Sequence, residues 1–309
     1  MNLICTNLHP SSAVNLAIYG NFSGPKQQEI ATVRGNHLEL LRPDENGKLQ
    51  TICSSPAFAI IRSIVAFRLA GSNRDYVVIG SDSGKVSIVE YDAKINNWKL
   101  VHCEVFGKTG CRRIVPGQYI AADPKGRAIM IAGVEKQKLV YVLNRDTSNK
   151  LTISSPLEAH KVETIVFSLC GVDVGYENPI FALIELEYSQ ADQDATGEAL
   201  QEIEKKLSYY ELDLGLNHVV RKWSEPISRT ANFLLSVPGG DSWPSGVLIC
   251  GENWISYKHQ GHVEIRAPIP RRHNLPKEKG VLITSGTLHK QKDLFFFIVQ
   301  SEYGDLYKV

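Results

Sequence analysis

The sequence predicts an all-β protein, a β-propeller built from four-stranded blades, on the basis of three observations. Strand–turn–strand patterns dominate the 309 residues. Similar hairpins recur at a fixed interval, since Gly35 to Gly84 and Gly84 to Gly133 each span 49 residues. Little of the chain has the spacing of a long amphipathic helix; the exception is 198–206, where Leu200 and Ile203 could form one or two helical turns. A repeat of this length made of short strands is typical of propeller blades.

Six hairpins carry this repeat. Their strands are rich in Val, Ile, Leu, Phe and Tyr, and their turns contain Gly, Asn, Asp and Ser, which adopt the backbone conformations that tight turns require. The hairpins lie at 29–44, 76–92, 128–146, 179–190 with 206–214, 246–259 and 294–309. Two of them share the pattern Ser-acid-x-Gly, in IGSDSGKVSIV and VQSEYGDLYKV.

Short strand signals between the hairpins complete the blades. They lie at 49–55, 60–69, 98–106 and 117–124, so each repeat offers about four strands. A β-sandwich gives no reason for a hairpin motif to recur at a fixed interval. The sequence therefore predicts one domain over 1–309, a propeller of about six blades.

The last hairpin ends at Val309, before a fourth strand of blade six. We expect a propeller truncated within blade six, from which later propellers are absent. An unpaired strand edge exposes N–H and C=O groups, so the sequence predicts that this piece folds poorly alone and that the natural chain continues.

Composition excludes several classes. A net charge of +1 does not favour a nucleic-acid binder held by a global basic field. No run approaches the roughly 18 apolar residues of a membrane span, and the first residues lack the pattern of a secretory signal. The six cysteines are scattered without a CxxC pair, which indicates reduced structural thiols in the nucleus or cytosol.

The stretch FGKTGCRRIVPG, residues 106–117, is suggestive of a phosphate-binding loop. A Walker A motif would need glycine where His102 stands, and the glycines and proline that follow preclude its helix. Cys111 beside Arg112 and Arg113 could have a lowered thiol pKa, but no base is placed to activate it. A connection between blades two and three is the favoured interpretation.

Two other patterns could indicate a metal site or a catalytic pair. His259 and His262 lie in a predicted turn, and strand alternation would send residues three apart to opposite sides, a poor arrangement for one metal ion. Glu185 and Glu187 share a strand face, as a glycosidase pair might, but the sequence favours the solvated base of an acidic loop. We expect no catalytic, cofactor-binding or metal-binding residues.

Two charged segments are candidate binding surfaces. The insertion 185–204 carries seven acidic residues and no Lys or Arg, which suits a loop that meets a basic partner or a loop with no partner. The connection 268–280 contains Arg271, Arg272, Lys277 and Lys279, and could touch RNA phosphates, an acidic partner or only solvent.

Long and unusual strings carry a family resemblance across nearly the whole chain, in order: NFSGPKQQEI, RGNHLELLRPD, FGKTGCRRIVPGQY, EKQKLVYVLNRD, LTISSPLEAH, GVDVGYENPIFA and ELDLGLNHVVRKWSEP. They resemble the N-terminal propeller of the triple-propeller family that includes subunit 3 of splicing factor 3b. More distant members are the damaged-DNA-binding ubiquitin-ligase adaptor and the largest cleavage-and-polyadenylation subunit. This sequence departs from the pattern at 45–48 and 191–206.

The resemblance implies a nuclear, non-enzymatic scaffold of splicing factor 3b in the U2-type small nuclear ribonucleoprotein, acting in pre-mRNA splicing and branch-site recognition. Implied partners are the HEAT-repeat subunit, a small zinc-containing subunit and a small helical subunit, with RNA contact indirect or peripheral and no membrane, small-molecule substrate or cofactor. Two alternatives stay open: an adaptor or polyadenylation propeller of the same family, and a propeller enzyme.

The family's contact stretches match 104–118, 144–167 and the acidic insertion through Ser224. The residues expected to contact partners are Phe106, Lys108, Arg112, Arg113, Asn144, Arg145, Asp146, Pro156, His160, Lys161, Asn217, His218, Arg221 and Lys222. Loops held by rigid blades are where propeller function is usually found, and arginines can bind carboxylates through two hydrogen bonds. Arg112 and Arg113 could equally form intramolecular pairs that join neighbouring blades.

Overall fold

A computed structural model describes residues 9, 11–57, 59–106, 114, 116–148, 150–159, 163–240, 243–276, 278–292 and 294–309. These residues form strands joined by turns, with two five-residue helices. They divide into two compact units, within Met1–Cys111 and Arg112–Val309. In the described part of the chain, no helix is long and apolar enough to cross a membrane.

The first unit contains two sheets, each an antiparallel meander of four consecutive strands. Sheet 1 comprises β1 Leu16–Gly20, β2 Glu29–Arg34, β3 His37–Pro43 and β4 Leu49–Pro56. Sheet 2 comprises β5 Ile61–Phe67, β6 Tyr76–Ser81, β7 Lys85–Asp92 and β8 Asn97–Val105. The sheets contact through β1 and β5 and through β4 and β8. Apolar residues from facing strands form the core between them, among them Phe22, Leu40 and Val77.

The second unit contains four more meanders. Sheet 3 comprises β9 Tyr119–Ala122, β10 Ala128–Ala132, β11 Lys138–Arg145, β12 Leu151–Ile153 and β13 Leu157–Glu158; β12 and β13 both pair with β11. Sheet 4 comprises β14 Thr164–Val172, β15 Ile180–Glu187, β16 Lys205–Asp213 and β17 His218–Ile227. Sheet 5 comprises β18 Phe233–Ser236, β19 Val247–Gly251, β20 Trp254–Lys258 and β21 Ile265–Pro268. Sheet 6 comprises β22 Ile283–Lys290, β23 Phe295–Ser301 and β24 Leu306–Lys308.

The first strands of these four sheets lie side by side, since β14 contacts both β9 and β18, and β18 contacts β22. Strands β10 and β19 are buried along their whole length, and β11 and β15 along most of theirs. Continuous apolar runs in these middle strands are typical of strands that are covered on both faces. All six predicted hairpins are confirmed, as are the intervening strands, and sheet 6 has three strands as the sequence indicates.

Glycines explain why two distant hairpins have similar sequences. Gly84 and Gly304 have φ of +73° and +82°, in the left-handed region that other residues rarely adopt. In the second hairpin the Ser301 hydroxyl accepts hydrogen bonds from the backbone N–H groups of Tyr303 and Asp305 at 3.3 and 3.2 Å. The shared Ser-acid-x-Gly pattern thus encodes a tight turn.

The prediction of one or two helical turns within 198–206 is confirmed, and the helix is short. The chain forms α1 Ser189–Gln193 and α2 Glu198–Glu202, and β16 begins at Lys205. The helix stops early because Leu207, Tyr209 and their neighbours pair with β15 and are buried in the core of sheet 4. Tertiary packing therefore overrides the local helical spacing.

Candidate interaction surface

The predicted interface residues fall into three groups. Lys108, Arg112, Arg113, His160 and Lys161 lie outside the described residues, as does Cys111 with most of FGKTGCRRIVPG. Phe106 belongs to the first unit, directly after β8, where it is half-buried and its N–H donates to the carbonyl of Gly84 at 2.8 Å. The remaining eight belong to sheets 3 and 4 of the second unit.

Asn144, Arg145 and Asp146 lead into the turn between β11 and β12. The Asp146 carboxylate accepts hydrogen bonds from the N–H groups of Ser148 and Lys150, both at 2.8 Å. This fixes the turn and leaves Asn144 and Asp146 exposed. Pro156, also exposed, lies between β12 and β13.

Asn217 and His218 belong to the turn between β16 and β17, which is built in the same way. The Asp213 carboxylate accepts from the N–H groups of Gly215 and Leu216 at 2.9 and 3.0 Å. Asn217 has φ of +49°, a left-handed conformation that asparagine tolerates better than most side chains. Leu216 is 78% exposed at the tip of this turn.

We call residues 144–146 and 217–218 the two-turn surface. Both turns join the third and fourth strands of their sheets, and sheets 3 and 4 contact through β9 and β14 and through β13 and β17. Arg127, in the first turn of sheet 3, donates to the carbonyl of Glu177, in the first turn of sheet 4, at 2.5 Å. In a meander the first and third turns leave at the same edge, so the two-turn surface lies along one edge of the second unit.

An aspartate turn signal recurs through the chain. Asp44 and Asp92 also start the turns between their third and fourth strands, and each accepts a backbone N–H two residues later at 2.9 Å. The segments RPDENGKL, EYDAKINNWKL, NRDTSNKL and ELDLGLNHV therefore occupy equivalent places in sheets 1 to 4. This signal was present in the sequence, and it would have located the two-turn surface without the structure.

Arg221 and Lys222, neighbours on β17, both make ionic contacts within sheet 4. The Arg221 guanidinium donates to Glu187 and, at 3.3 Å, to Glu185. Lys222 is 64% exposed and contacts Glu211 of the adjacent strand. Lys222 therefore presents its charge to solvent, whereas Arg221 mainly joins the two carboxylates.

The prediction that Glu185 and Glu187 form a solvated base was wrong for Glu185. Its side chain is fully buried and contacts the equally buried Lys138, on β11 of the neighbouring sheet, with 3.0 Å between Nζ and Oε2. The Tyr210 hydroxyl donates to the same carboxylate at 3.1 Å, and Lys138 also donates to Thr164 Oγ1 at 2.5 Å. Glu185 is buried because its partners lie on three other strands.

The electrostatics of this cluster follow from burial and pairing. Burial lowers the pKa of Lys138, an effect that the charge of Glu185 opposes. Burial also raises the pKa of Tyr210, and the adjacent Glu185 charge adds to this effect. Although burial opposes it, hydrogen bonding from Arg221 and Lys206 lowers the pKa of Glu187 to about 2. Glu185 and Glu187 are both paired with lysine or arginine side chains. The cluster therefore joins sheets 3 and 4 and does not have the arrangement of a catalytic acid and base.

The acidic insertion projects from sheet 4 between β15 and β16. Asp192, Glu198, Glu202 and Glu204 are exposed. Asp194 is instead hydrogen-bonded within the insertion: it accepts the N–H of Ala199 at 2.8 Å and two hydrogen bonds from Thr196, and these contacts, led by Ala199, lower its pKa to about 2. Lys206 pairs with Glu187 at 3.0 Å at the foot of the insertion.

The histidine pair lies in a turn, as predicted, and the turn brings the two rings together. The N–H of His262 donates to the carbonyl of His259 at 3.1 Å, and this turn brings the two rings to 4.9 Å between centroids. Burial, and then the charge of His262, lower the pKa of His259. Among the described residues no group of three His, Cys, Asp or Glu side chains is placed to hold a metal ion.

Repeated antiparallel meanders define a β-propeller protein, and its candidate site is a surface formed by turns. Residues 13–309 match the family model described as the RSE1/DDB1/CPSF1 first beta-propeller. The chain belongs to this family.

Three relatives illustrate the similarity, each over all of this chain and 26% of the relative. Spliceosome-associated protein 130 A of Arabidopsis thaliana is 62% identical over 309 residues. Splicing factor 3B subunit 3 of Danio rerio is 55% identical over 313 residues. Pre-mRNA-splicing factor RSE1 of Mycosarcoma maydis is 54% identical over 321 residues. The chain thus spans about a quarter of the length of these relatives.

Proposed function

We propose that this chain is the first propeller of a splicing factor 3b subunit and acts in the nucleus as a non-enzymatic scaffold in pre-mRNA splicing and branch-site recognition. The observation that carries the proposal is identity above half, over the whole chain, to proteins named as splicing factors. By this proposal its partners are the HEAT-repeat, small zinc-containing and small helical subunits of that complex.

The two-turn surface supports a contact role. Its turns are fixed by Asp146 and Asp213, so their backbone has little conformational freedom left to lose on binding. Lys222 extends the surface with an exposed cation. We propose that these residues, with Phe106 and Pro156, contact a partner. We also propose the same role for Lys108, Arg112, Arg113, His160 and Lys161, outside the described residues.

The test is affinity purification of the full chain from nuclear extract, followed by mass spectrometry. We expect the HEAT-repeat subunit to be recovered, and we expect Lys222→Glu to reduce its recovery. Lys99→Glu is the matched control, because Lys99 is also an exposed lysine on the fourth strand of its sheet and pairs with Glu90 opposite.

Recovery of no splicing factor 3b subunit by a folded chain would overturn the proposal. Recovery of a cullin scaffold instead would support the ubiquitin-ligase adaptor. Equal recovery with both variants would leave the scaffold role standing but remove Lys222 from the interface.

A further inference from the structure

We propose that a groove on the second unit binds an extended, proline-rich segment of a partner protein. The groove has a volume of 770 Å³ and lies between the turn joining β14 and β15 and the turn joining β18 and β19. We call it the aromatic groove; it is lined by 173–177, Gly239, Gly240 and 243–245, with Lys125 and His259 at its margin. It shares no residue with the two-turn surface, although both lie along the same edge of the second unit, and the inference does not depend on the proposed function.

Two aromatic side chains give the groove its chemistry. Tyr176 is 90% exposed, which is unusual for so large a ring, and Trp243 packs edge-on against Phe295 with 5.1 Å between centroids. Within the described residues, neither the Tyr176 hydroxyl nor the Trp243 indole N–H makes a hydrogen bond. This pair of side chains suits a polyproline II ligand for two reasons. The proline rings of such a ligand stack on aromatic rings, and its backbone carbonyls, which have no internal partners, can accept hydrogen bonds from the two free donors.

The floor of the groove is fixed before any ligand arrives. The Asp173 carboxylate accepts the N–H groups of Gly175 at 3.3 Å and Gly239 at 2.9 Å, and Ser245 donates to the Asp173 carbonyl at 2.6 Å. A Cβ at Gly239 would lie 1.8 Å from that carbonyl oxygen, so only glycine allows this approach of the two turns. A preformed groove and a stiff ligand both reduce the ordering cost of binding.

A single-stranded nucleic acid could also stack on exposed rings. The charge of the groove distinguishes it from a proline-rich peptide. The ionisable lining residues are Lys125, Asp173, Glu177 and His259. Lys125 lies over the Tyr176 ring at 5.0 Å, and Lys290 lies over the Trp243 ring at 5.6 Å. The described lining thus carries one lysine against two carboxylates, with Lys290 as a second lysine beside it, so the groove lacks the positive charge that a strand of phosphates requires.

The experiment measures binding of a fluorescein-labelled polyproline peptide of about ten residues to the full chain by fluorescence anisotropy. We expect saturable binding that Tyr176→Ala and Trp243→Ala each weaken by about 10-fold, as for buried aromatic anchors. Tyr176→Phe, which keeps the ring and removes the donor, should weaken it less. Tyr19→Ala is the matched control, since Tyr19 is 61% exposed on β1 of the first unit.

Circular dichroism and thermal melting of each variant establish that it is folded before binding is compared. The inference is overturned if the folded wild-type chain does not bind the peptide at millimolar concentration, or if Tyr176→Ala and Trp243→Ala both bind as wild type does. It is also overturned if labelled oligouridylate binds in place of the peptide and Tyr176→Ala abolishes that binding.

Discussion

Lys138 and Glu185 form an ion pair whose two side chains are almost completely buried, although they are 47 residues apart along the chain and belong to different sheets. Removing charges from water is costly, and the cost is recovered here by the further contacts of Thr164, Tyr210 and Arg221. Sheets 3 and 4 are thereby joined through their interiors.

We predict that Glu185→Gln destabilises the chain by about 3–5 kcal/mol, because it leaves Lys138 buried without its counter-charge. Chemical denaturation measures the loss. Glu90→Gln is the control, since Glu90 pairs with an exposed lysine and its removal should cost less than about 1 kcal/mol. The double variant Lys138→Met with Glu185→Leu should regain most of the stability. Similar losses for Glu185→Gln and Glu90→Gln would refute a special role for the buried pair.

We predict an acid-dependent loss of stability that depends on Glu187. Its pKa is about 2 in the folded chain and near the ordinary value of 4.5 when unfolded, so the unfolded state binds the proton more readily. The stabilisation is therefore complete above pH 4.5 and is lost as the pH falls towards 2. Over this interval the difference in free energy of unfolding between wild type and Glu187→Gln should shrink by about 1 kcal/mol, a figure that allows for solvent screening. Denaturation curves at several pH values measure it. A constant difference from pH 6 to pH 2 would contradict the prediction.

Asn217 should tolerate glycine and not valine. Its φ of +49° is left-handed, where a β-branched side chain collides with the backbone at a cost of about 1–2 kcal/mol. Asn217→Val should lower the free energy of unfolding by that amount, and Asn217→Gly should leave it nearly unchanged.

The glycine variant also separates interface from fold: a folded Asn217→Gly chain that loses partner recovery would place the side chain in the contact.

The described cysteines should differ sharply in reactivity. Cys250 is completely buried, and burial raises the pKa of its thiol to about 12, whereas Cys103 is exposed. Since the thiolate is the reactive form, N-ethylmaleimide at pH 8 should modify Cys103 in minutes and spare Cys250 until the chain unfolds. Peptide mass spectrometry follows both sites, and equal labelling in the native chain would contradict the structure of sheet 5.

The sequence was most informative where structure is local. Turn chemistry and strand composition located the hairpins, because a tight turn such as that at Gly84 depends on adjacent residues. The sequence was misleading for Glu185, since the acidic residues that follow suggested solvent while its actual partners, Lys138 and Arg221, lie on other strands. The turn that contains His259 and His262 was predicted, but the contact between their rings depends on how the turn closes, which the spacing alone does not give.

The candidate site was only partly accessible to sequence reasoning. Nothing local to Tyr176 or Trp243 indicates that two turns 67 residues apart line one groove, because that depends on the packing of sheet 4 against sheet 5. The Asp turns were accessible, and their recurrence at Asp44, Asp92, Asp146 and Asp213 is the pattern that alignment of the repeats would have exposed.

The segment that contains α1 and α2 leaves sheet 4 and returns to it at neighbouring positions, since Glu185 pairs with Lys206 across the adjoining strands. Lys206 and Glu187 form an ion pair between β16 and β15 where the segment begins and ends. The register of these two strands is therefore fixed by their own residues and not by the segment. The length of this segment is therefore free to vary, and a fluorescent protein or an affinity handle placed at Gly197 would report on the chain without altering the strands that support it.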